Sequence, residues 1–384
     1  MSLDDLECWT RVAIQGPGVC AGLATANSMH VMAEALGMAL PGTTPIRAGS
    51  DRLYEVAGRA GATILDLIAS DLRARKILTA AALRNAVRVA ISIGASVNVV
   101  RHLTAIATEG ELDLDVVSLF ESLGKDLKQI TQIKPNGPDR IEAFDAAGGT
   151  RAVQYQLRDV METDAMTIAG KPLSEVLKEP IKIDEAVIRP MSKPFRPEPG
   201  LVILRGNLAP HGAIMKISAV PCAMRKFSGP ARIFDDEDAA IRELGAGKIH
   251  AGDVVVLRMM GPFGGPGTVF ACSFMAALVG AGLGDQVAVV TDGELSGLNR
   301  GITVGQVMPE AARGGPLAVI REGETIRLDI DARRIDVDAA DLEKRVRQWK
   351  LPERKLKPSG SPSIRKLSSP SKTGQRWAQR LDCG

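Results

Sequence analysis

At 384 residues, 45% hydrophobic and 24% charged, the chain is long enough for two or three domains and has the balance of a soluble globular protein. Aromatic residues make up only 3%, too few for a stacking platform that binds single-stranded nucleic acid. The net charge of +3 is uneven: Leu351–Gly384 holds eight Lys/Arg against two Asp/Glu, leaving −3 on residues 1–350, which excludes a basic nucleic-acid-binding body.

No run approaches the roughly 18 to 20 apolar residues of a membrane span. The acidic start, Met1-Ser2-Leu3-Asp4-Asp5-Leu6-Glu7, is unlike a signal or transit peptide. The five cysteines, at 8, 20, 222, 272 and 383, are odd in number and form no CxxC pair. A disulfide framework is therefore disfavoured, and a reducing, cytoplasmic location is expected.

In chain order, the first half reads as helix-rich. Gly16-Pro17-Gly18-Val19-Cys20-Ala21-Gly22 is a glycine-rich turn, and the spacing of Ala26, Met29, Ala33, Leu36 and Leu40 predicts a helix opened by it. Unpaired N–H groups and the positive dipole end at a helix start favour a thiolate, which suits a metal- or cluster-bound Cys20. A tight turn that buries a small thiol would give the same pattern. A break at Pro41-Gly42 precedes a helix over Asp51–Ala69, with apolar residues at Leu53, Val56, Ala60, Ile64, Leu67 and Ile68. Thr79 caps a helix over Ala80–Ile93 that stops at Gly94. Gly94-Ala95-Ser96-Val97-Asn98 then leads into another helix through His102, Leu103 and Ile106. That junction offers Ser96 and Asn98 beside a helix start, either to hold a carboxylate or phosphate or simply as caps.

Five prolines between Pro180 and Gly200 mark a connecting segment, beyond which the texture changes. Residues 201–204, 253–257, 286–290 and 316–320 are short β-rich runs. The alternating stretches 325–330 and 334–338 predict a hairpin turning near Asp331-Ala332. Only 235–244 reads as clearly helical there. Three glycine-rich stretches follow apolar runs: Arg205–Pro210, Gly261–Gly267 and Thr291–Gly297. Each is placed at a strand end, where loops carry function. Ser296, in the last of them, is a serine held in a polar, glycine-flanked loop, or else a turn serine. Phosphate-loop, HExxH and GxSxG templates are absent, and the four histidines show no ligand spacing.

Taken together these stretches resemble the dihydroxy-acid dehydratase / phosphogluconate dehydratase family, which includes sugar-acid dehydratases. The likeness runs from Gly16 to Val337. It is carried by Gly18-Val19-Cys20-Ala21-Gly22, Thr25-Ala26-Asn27-Ser28-Met29, Glu34-Ala35-Leu36-Gly37-Met38, Val187-Ile188-Arg189-Pro190 and Leu204-Arg205-Gly206-Asn207-Leu208-Ala209-Pro210. It continues through Gly264-Gly265-Pro266-Gly267, Thr291-Asp292-Gly293, Pro309-Glu310-Ala311-Ala312 and Gly314-Gly315-Pro316.

The resemblance implies a lyase that removes water from a 2,3-dihydroxy acid or sugar acid to give a 2-keto acid, using an iron–sulfur cluster and Mg2+. Cys20 matches one of three cluster cysteines, Ser296 the serine base, and Ser96 and Asn98 the substrate-facing segment. It implies a small-molecule hydroxy acid as substrate, a homo-oligomer, a cytoplasmic location and no membrane or nucleic-acid partner. The fold implied is α/β: residues 1–180 as the remnant of a cluster-bearing, helix-rich α/β domain, 181–350 as a mainly β, barrel-like domain, and 351–384 as a basic, disordered tail.

The sequence departs from the family pattern in several places. Family members begin upstream of Met1, in a part carrying two cluster cysteines, an aspartate pair for Mg2+ and a metal-bridging lysine, so the chain reads as N-terminally truncated. Phe270 stands at the position of a Mg2+ glutamate, and Leu298 replaces the second glycine after the serine. No metal ligand is assigned beyond Cys20. Two expectations follow: a dehydratase whose missing ligands come from elsewhere, or a catalytically inactive truncated paralogue or pseudogene product. Branched dihydroxy acids, aldonates and phosphogluconate all stay open as substrates.

Overall fold

The computed structural model describes residues 2–13, 16–295 and 301–351. Thirteen α-helices lie among them: α1 (Leu3–Ala13), α2 (Thr25–Ala35), α3 (Asp51–Ala69), α4 (Ala74–Ile77), α5 (Ala80–Ile93), α6 (Val99–Glu109), α7 (Val116–Leu123), α8 (Ile141–Ala146), α9 (Gly149–Gln156), α10 (Leu173–Val176), α11 (Glu237–Gly245), α12 (Cys272–Gly280) and α13 (Leu342–Gln348). No helix among the described residues is long and apolar enough to cross a membrane. The chain forms two compact units, one of residues 1–99 with 123–200 and one of 100–122 with 201–384, so α6 and α7 belong with the C-terminal sheet.

The first unit is helical and is built on α5. Thr79 accepts a hydrogen bond from Ala82 N at its start, and Gly94 closes it at φ 63°, the left-handed geometry a glycine takes without strain. Ten of its fourteen residues are buried, as expected of a helix apolar on most of its circumference. Its two arginines do not face solvent alone. Arg84 and Arg88 both reach the Glu162 carboxylate, and Asn85 exchanges two hydrogen bonds with the Glu162 backbone. The Arg84 guanidinium holds the Glu162 carboxyl below its ordinary range.

The second unit is an eight-stranded mixed sheet. Its strands are β1 (Leu201–Leu204), β2 (Gly212–Lys216), β3 (Lys226–Phe234), β4 (Val254–Leu257), β6 (Ala288–Thr291), β8 (Thr303–Met308), β9 (Thr325–Asp329) and β10 (Arg334–Val337), while β5 (Thr268–Phe270) and β7 (Glu294–Leu295) form a separate parallel pair. Its order is β1-β2-β8-β6-β4-β3-β9-β10. The central strands β3, β4, β6 and β8 run parallel, and β4, β6 and β8 are buried throughout. Parallel strands need long crossovers and cover on both faces, which explains α11 between β3 and β4 and α12 between β4 and β6.

The sheet nearly closes into a barrel. Arg205, just past β1, makes a parallel bridge to Arg334 at the start of β10, with Arg205 N donating to Arg333 O and Ile335 N donating to Arg205 O. Asn207 continues the seam. Its side chain donates to Val337 O at 2.8 Å and accepts from Val337 N at 2.7 Å, as a neighbouring strand would. The Arg205–Pro210 loop, read from sequence as a functional loop, thus closes the sheet. Gly206 is required by this approach, because a Cβ there would lie 1.9 Å from Ile335 O.

Several sequence expectations shift. The run at 316–320 is a 3-10 turn over Pro316–Ala318, since Pro316 has no N–H to give a ladder. The stretch Cys272–Gly280, apolar but for Ser273, is helix α12, which has too little polar face to reveal a period. The hairpin at 325–338 forms as expected, with Ala332 N donating to the Asp329 carboxylate in its turn. The basic tail and Cys383 lie outside the described residues.

Candidate active site

In the first unit, the glycine turn does not run directly into a helix. α2 begins at Thr25, five residues past Cys20, and ends at Ala35 rather than continuing to Leu40. Cys20 therefore stands beyond the first turn, where the helix dipole has little hold on a thiol. It is exposed, and its Sγ lies 3.9 Å from Gly22 O. Buried Asn27 pins the loop, donating to Cys20 O at 2.7 Å and Gly22 O at 2.8 Å.

Thr25 ties in the second predicted segment. Its Oγ1 sits 3.1 Å from Ser96 Oγ and accepts from Asn98 Nδ2 at 2.9 Å, while Ser96 N donates to Ser28 Oγ. Ser96 and Asn98 are both fully buried. The loop of Cys20 and the turn of Ser96 and Asn98 are thus held by one helix start, through Asn27, Thr25 and Ser28. The same helix carries a residue that the sequence did not single out. Buried Glu34 accepts from Gly42 N (2.7 Å), Thr43 N (3.2 Å), Thr44 N (2.9 Å) and Thr44 Oγ1 (2.8 Å). Burial pushes its carboxyl up to about 7 against those four hydrogen bonds.

In the second unit, the loops after β4 and β6 meet. Buried Asp292 accepts from Met260 N and Ala311 N, each at 2.8 Å, and joins three loops at one carboxylate. Burial raises its pKa above the ordinary range. The Gly264–Gly267 stretch is anchored at its end, where Gly267 O accepts from Glu294 N at 2.9 Å and from Arg101 Nη1 at 3.1 Å. Glu294 also faces Arg101 at 3.7 Å and the partly exposed His102 at 3.9 Å. Arg101, Asp292, Gln306 and Glu310 line a small cavity of about 30 Å³.

Close approach fixes the glycines. Glu310 accepts from Phe263 N at 2.9 Å, and a Cβ on Gly261 would meet Glu310 Oε2 at 1.5 Å. Gly261→Ala is expected to cost about 2 kcal/mol by pushing that carboxylate off its loop, read as a lower urea midpoint at unchanged m. Met259, Ala271 and Gln306 have φ of 62°, 53° and 53°, so three non-glycine residues hold left-handed geometry around these loops. Such strain gathers where a site, rather than the fold, dictates the backbone.

Ser296, the predicted base, lies outside the described residues, as does Leu298. Its loop is approached through Glu294 and Leu295, which pair in parallel with Thr268 and Phe270.

Comparison with known proteins decides the family. Residues 1–176 match the profile described as dihydroxy-acid/6-phosphogluconate dehydratase N-terminal, and residues 186–374 match its C-terminal counterpart. The chain belongs to this dehydratase family. A dihydroxy-acid dehydratase of Geotalea daltonii is 43% identical over 372 residues, 96% of this chain and 67% of its own. Another, from Syntrophotalea carbinolica, is 44% identical over 353 residues, covering 91% and 63%. A third, from Ignicoccus hospitalis, is 42% identical and covers 90% and 63%. The chain therefore spans about two thirds of the length of these relatives.

No three His, Cys, Asp or Glu side chains converge among the described residues. Cys20 has no such company, and Asp292 and Glu310 spend carboxylate oxygens on backbone N–H groups. These described residues do not fit the family's iron–sulfur cluster or its Mg2+ ion.

Proposed function

We propose that this chain dehydrates a 2,3-dihydroxy acid to a 2-keto acid, with Ser296 as the base. The observation that carries the reading is identity above 40% to curated dihydroxy-acid dehydratases across nine tenths of the chain. The net reaction breaks the C2–H and C3–O bonds and releases water; the resulting enol becomes the keto acid by taking a proton at C3. Departure of the C3 hydroxyl would call for a Lewis acid, which the described residues of this chain do not hold. In this chain the assigned work is proton removal from C2 by Ser296.

Ser96, Asn98 and Cys20 complete the assigned set. Ser96 and Asn98 act by holding the substrate-binding turn onto Thr25. Arg101 and Glu294 steady the strand that leads to Ser296. The glycine loops keep their backbones close, which suits a small acid rather than a polymer. A small hydroxy acid as partner, a cytoplasmic location and free cysteines belong to the same reading. The comparisons carry the dehydratase reading and add nothing to the inactive one.

Substrate class is read by offering a branched dihydroxy acid, an aldonate and phosphogluconate to anaerobically purified protein and measuring keto acid. Turnover of one class, with the branched dihydroxy acid foremost, is expected. No keto acid from any of the three would overturn the proposal.

A further inference from the structure

The first unit carries a cavity of about 760 Å³, within the ~300–1,000 Å³ usual for small-molecule sites. It is bounded by Tyr155 near the end of α9, by Ser174 in α10 and by the irregular strap of residues 180–183. The strap is fixed at both ends. Arg151 Nη2 donates to Val176 O at 3.0 Å and Glu179 O at 2.8 Å before it, and Asp184 N donates to Ala147 O at 3.3 Å after it. Its middle also packs closely, since a Cβ on Gly148 would lie 2.5 Å from Lys182 O. The cavity therefore exists before any ligand arrives, which lowers the ordering cost of binding.

Its lining has two parts. Leu177, Pro180, Ile181, Ile183 and the Tyr155 ring make an apolar wall. Against that wall stand polar groups that the fold leaves unused. The Tyr155, Thr163 and Ser174 hydroxyls and the Lys178 ammonium make no hydrogen bond or ion pair with the described residues. The backbone N–H groups of Ile181, Lys182 and Ile183 donate to none of those residues either. Arg158 adds a second positive charge, its guanidinium 4.3 Å from the centre of the Tyr155 ring. Its ion pair with Asp159, at 3.9 Å between two exposed side chains, is weak. The only acid of the lining, Glu179, already faces Arg151 at 3.5 Å and Lys171 at 3.7 Å. Unspent positive charge and hydroxyls thus meet an aliphatic wall. A bare inorganic anion would leave the wall uncovered, and a neutral hydrocarbon would strand the polar groups.

We propose that this cavity binds a small monocarboxylate with a hydrocarbon body. The carboxylate lies at Lys178, Ser174 and Thr163, and the body lies along Leu177, Ile181 and Ile183. The proposal goes beyond the dehydratase reading and stands independently of it, because no residue assigned to that reaction lines the cavity. The test titrates 3-phenylpropionate into the full chain and follows the isoleucine methyl signals by NMR. Ile181→Val and Ile183→Val assign the two signals that matter. Both should shift saturably, with a dissociation constant on the order of 0.1–1 mM. Lys178→Ala should weaken binding about 10-fold, whereas Lys182→Ala, whose side chain does not line the cavity, should leave it unchanged. The neutral 3-phenylpropionamide and inorganic phosphate should each bind at least about 10-fold more weakly than the acid. Unmoved signals from 181 and 183 at about 10 mM acid, equal binding of the amide or of phosphate, or wild-type affinity in Lys178→Ala would overturn it.

Discussion

Asp292→Ala should destabilise the C-terminal unit by about 4 kcal/mol, as a fall in the urea midpoint followed by circular dichroism. The Asp292 carboxylate accepts from the Met260 and Ala311 backbone N–H groups, one at each oxygen, and the residue is 1% exposed. Truncation strands both donors where water cannot reach them, at about 1–3 kcal/mol apiece. Asp292→Asn keeps one acceptor and should cost about half as much. The three loops joined at this carboxylate are those after β4, β6 and β8, so the loss should spread to the glycine stretches at the candidate site. Hydrogen exchange at Met260 and Ala311 should rise before the central strands open.

Glu34→Ala should cost about 3 kcal/mol, because it removes the acceptor of four hydrogen bonds from Gly42, Thr43 and Thr44. Glu34→Gln should cost about 2 kcal/mol, since its amide turns a donor toward groups that are already donors. The wild-type carboxyl also sets a pH dependence. Folded, it holds its proton up to about pH 7; unfolded, it releases it near 4.5, so folding takes up a proton between those values. The stability it contributes is fully present below about pH 4.5 and declines as pH rises to about 7. Both variants should lose that slope in urea titrations at stepped pH. A wild-type stability that rises across this window would contradict the assignment.

Local signals were legible in the sequence where the physics is local. Thr79, the Ala80–Ile93 period and Gly94 predict α5 to the residue, because cap, stripe and stop lie within one stretch. Asp51–Ala69 is predicted equally well as α3, although its apolar stripe is only half used for packing. Strand β3 and helix α12 went unread for opposite reasons. β3 mixes glycine, proline and charge in Lys226–Phe234 and is held by neighbours far away in sequence, while α12 is apolar but for Ser273. The assignment of α6 and α7 to the C-terminal unit is set by tertiary contacts that no linker composition announces.

The candidate site divides in the same way. Cys20, Ser96 and Asn98 sit in motifs visible by resemblance, and the structure adds that Asn27, Thr25 and Ser28 on one helix hold them. The roles of Glu34, Asp292 and Arg101 were not legible, because each depends on partners brought close only by folding. A signal was present in part: Asp292 and Glu34 both stand in short motifs beside glycine, where a carboxylate can collect backbone N–H groups. The Arg205–Pro210 loop has a structural role that its composition does not announce: its Gly206 and Asn207 close the sheet.

The central claim is that Ser296 removes a proton from a 2,3-dihydroxy acid in this chain. Keto acid formation by wild-type and Ser296→Ala protein, purified anaerobically side by side and matched for folding, tests it most directly. The account predicts turnover by the wild type and a loss of about 10³-fold in kcat for the variant. Equal rates in the two proteins would contradict it.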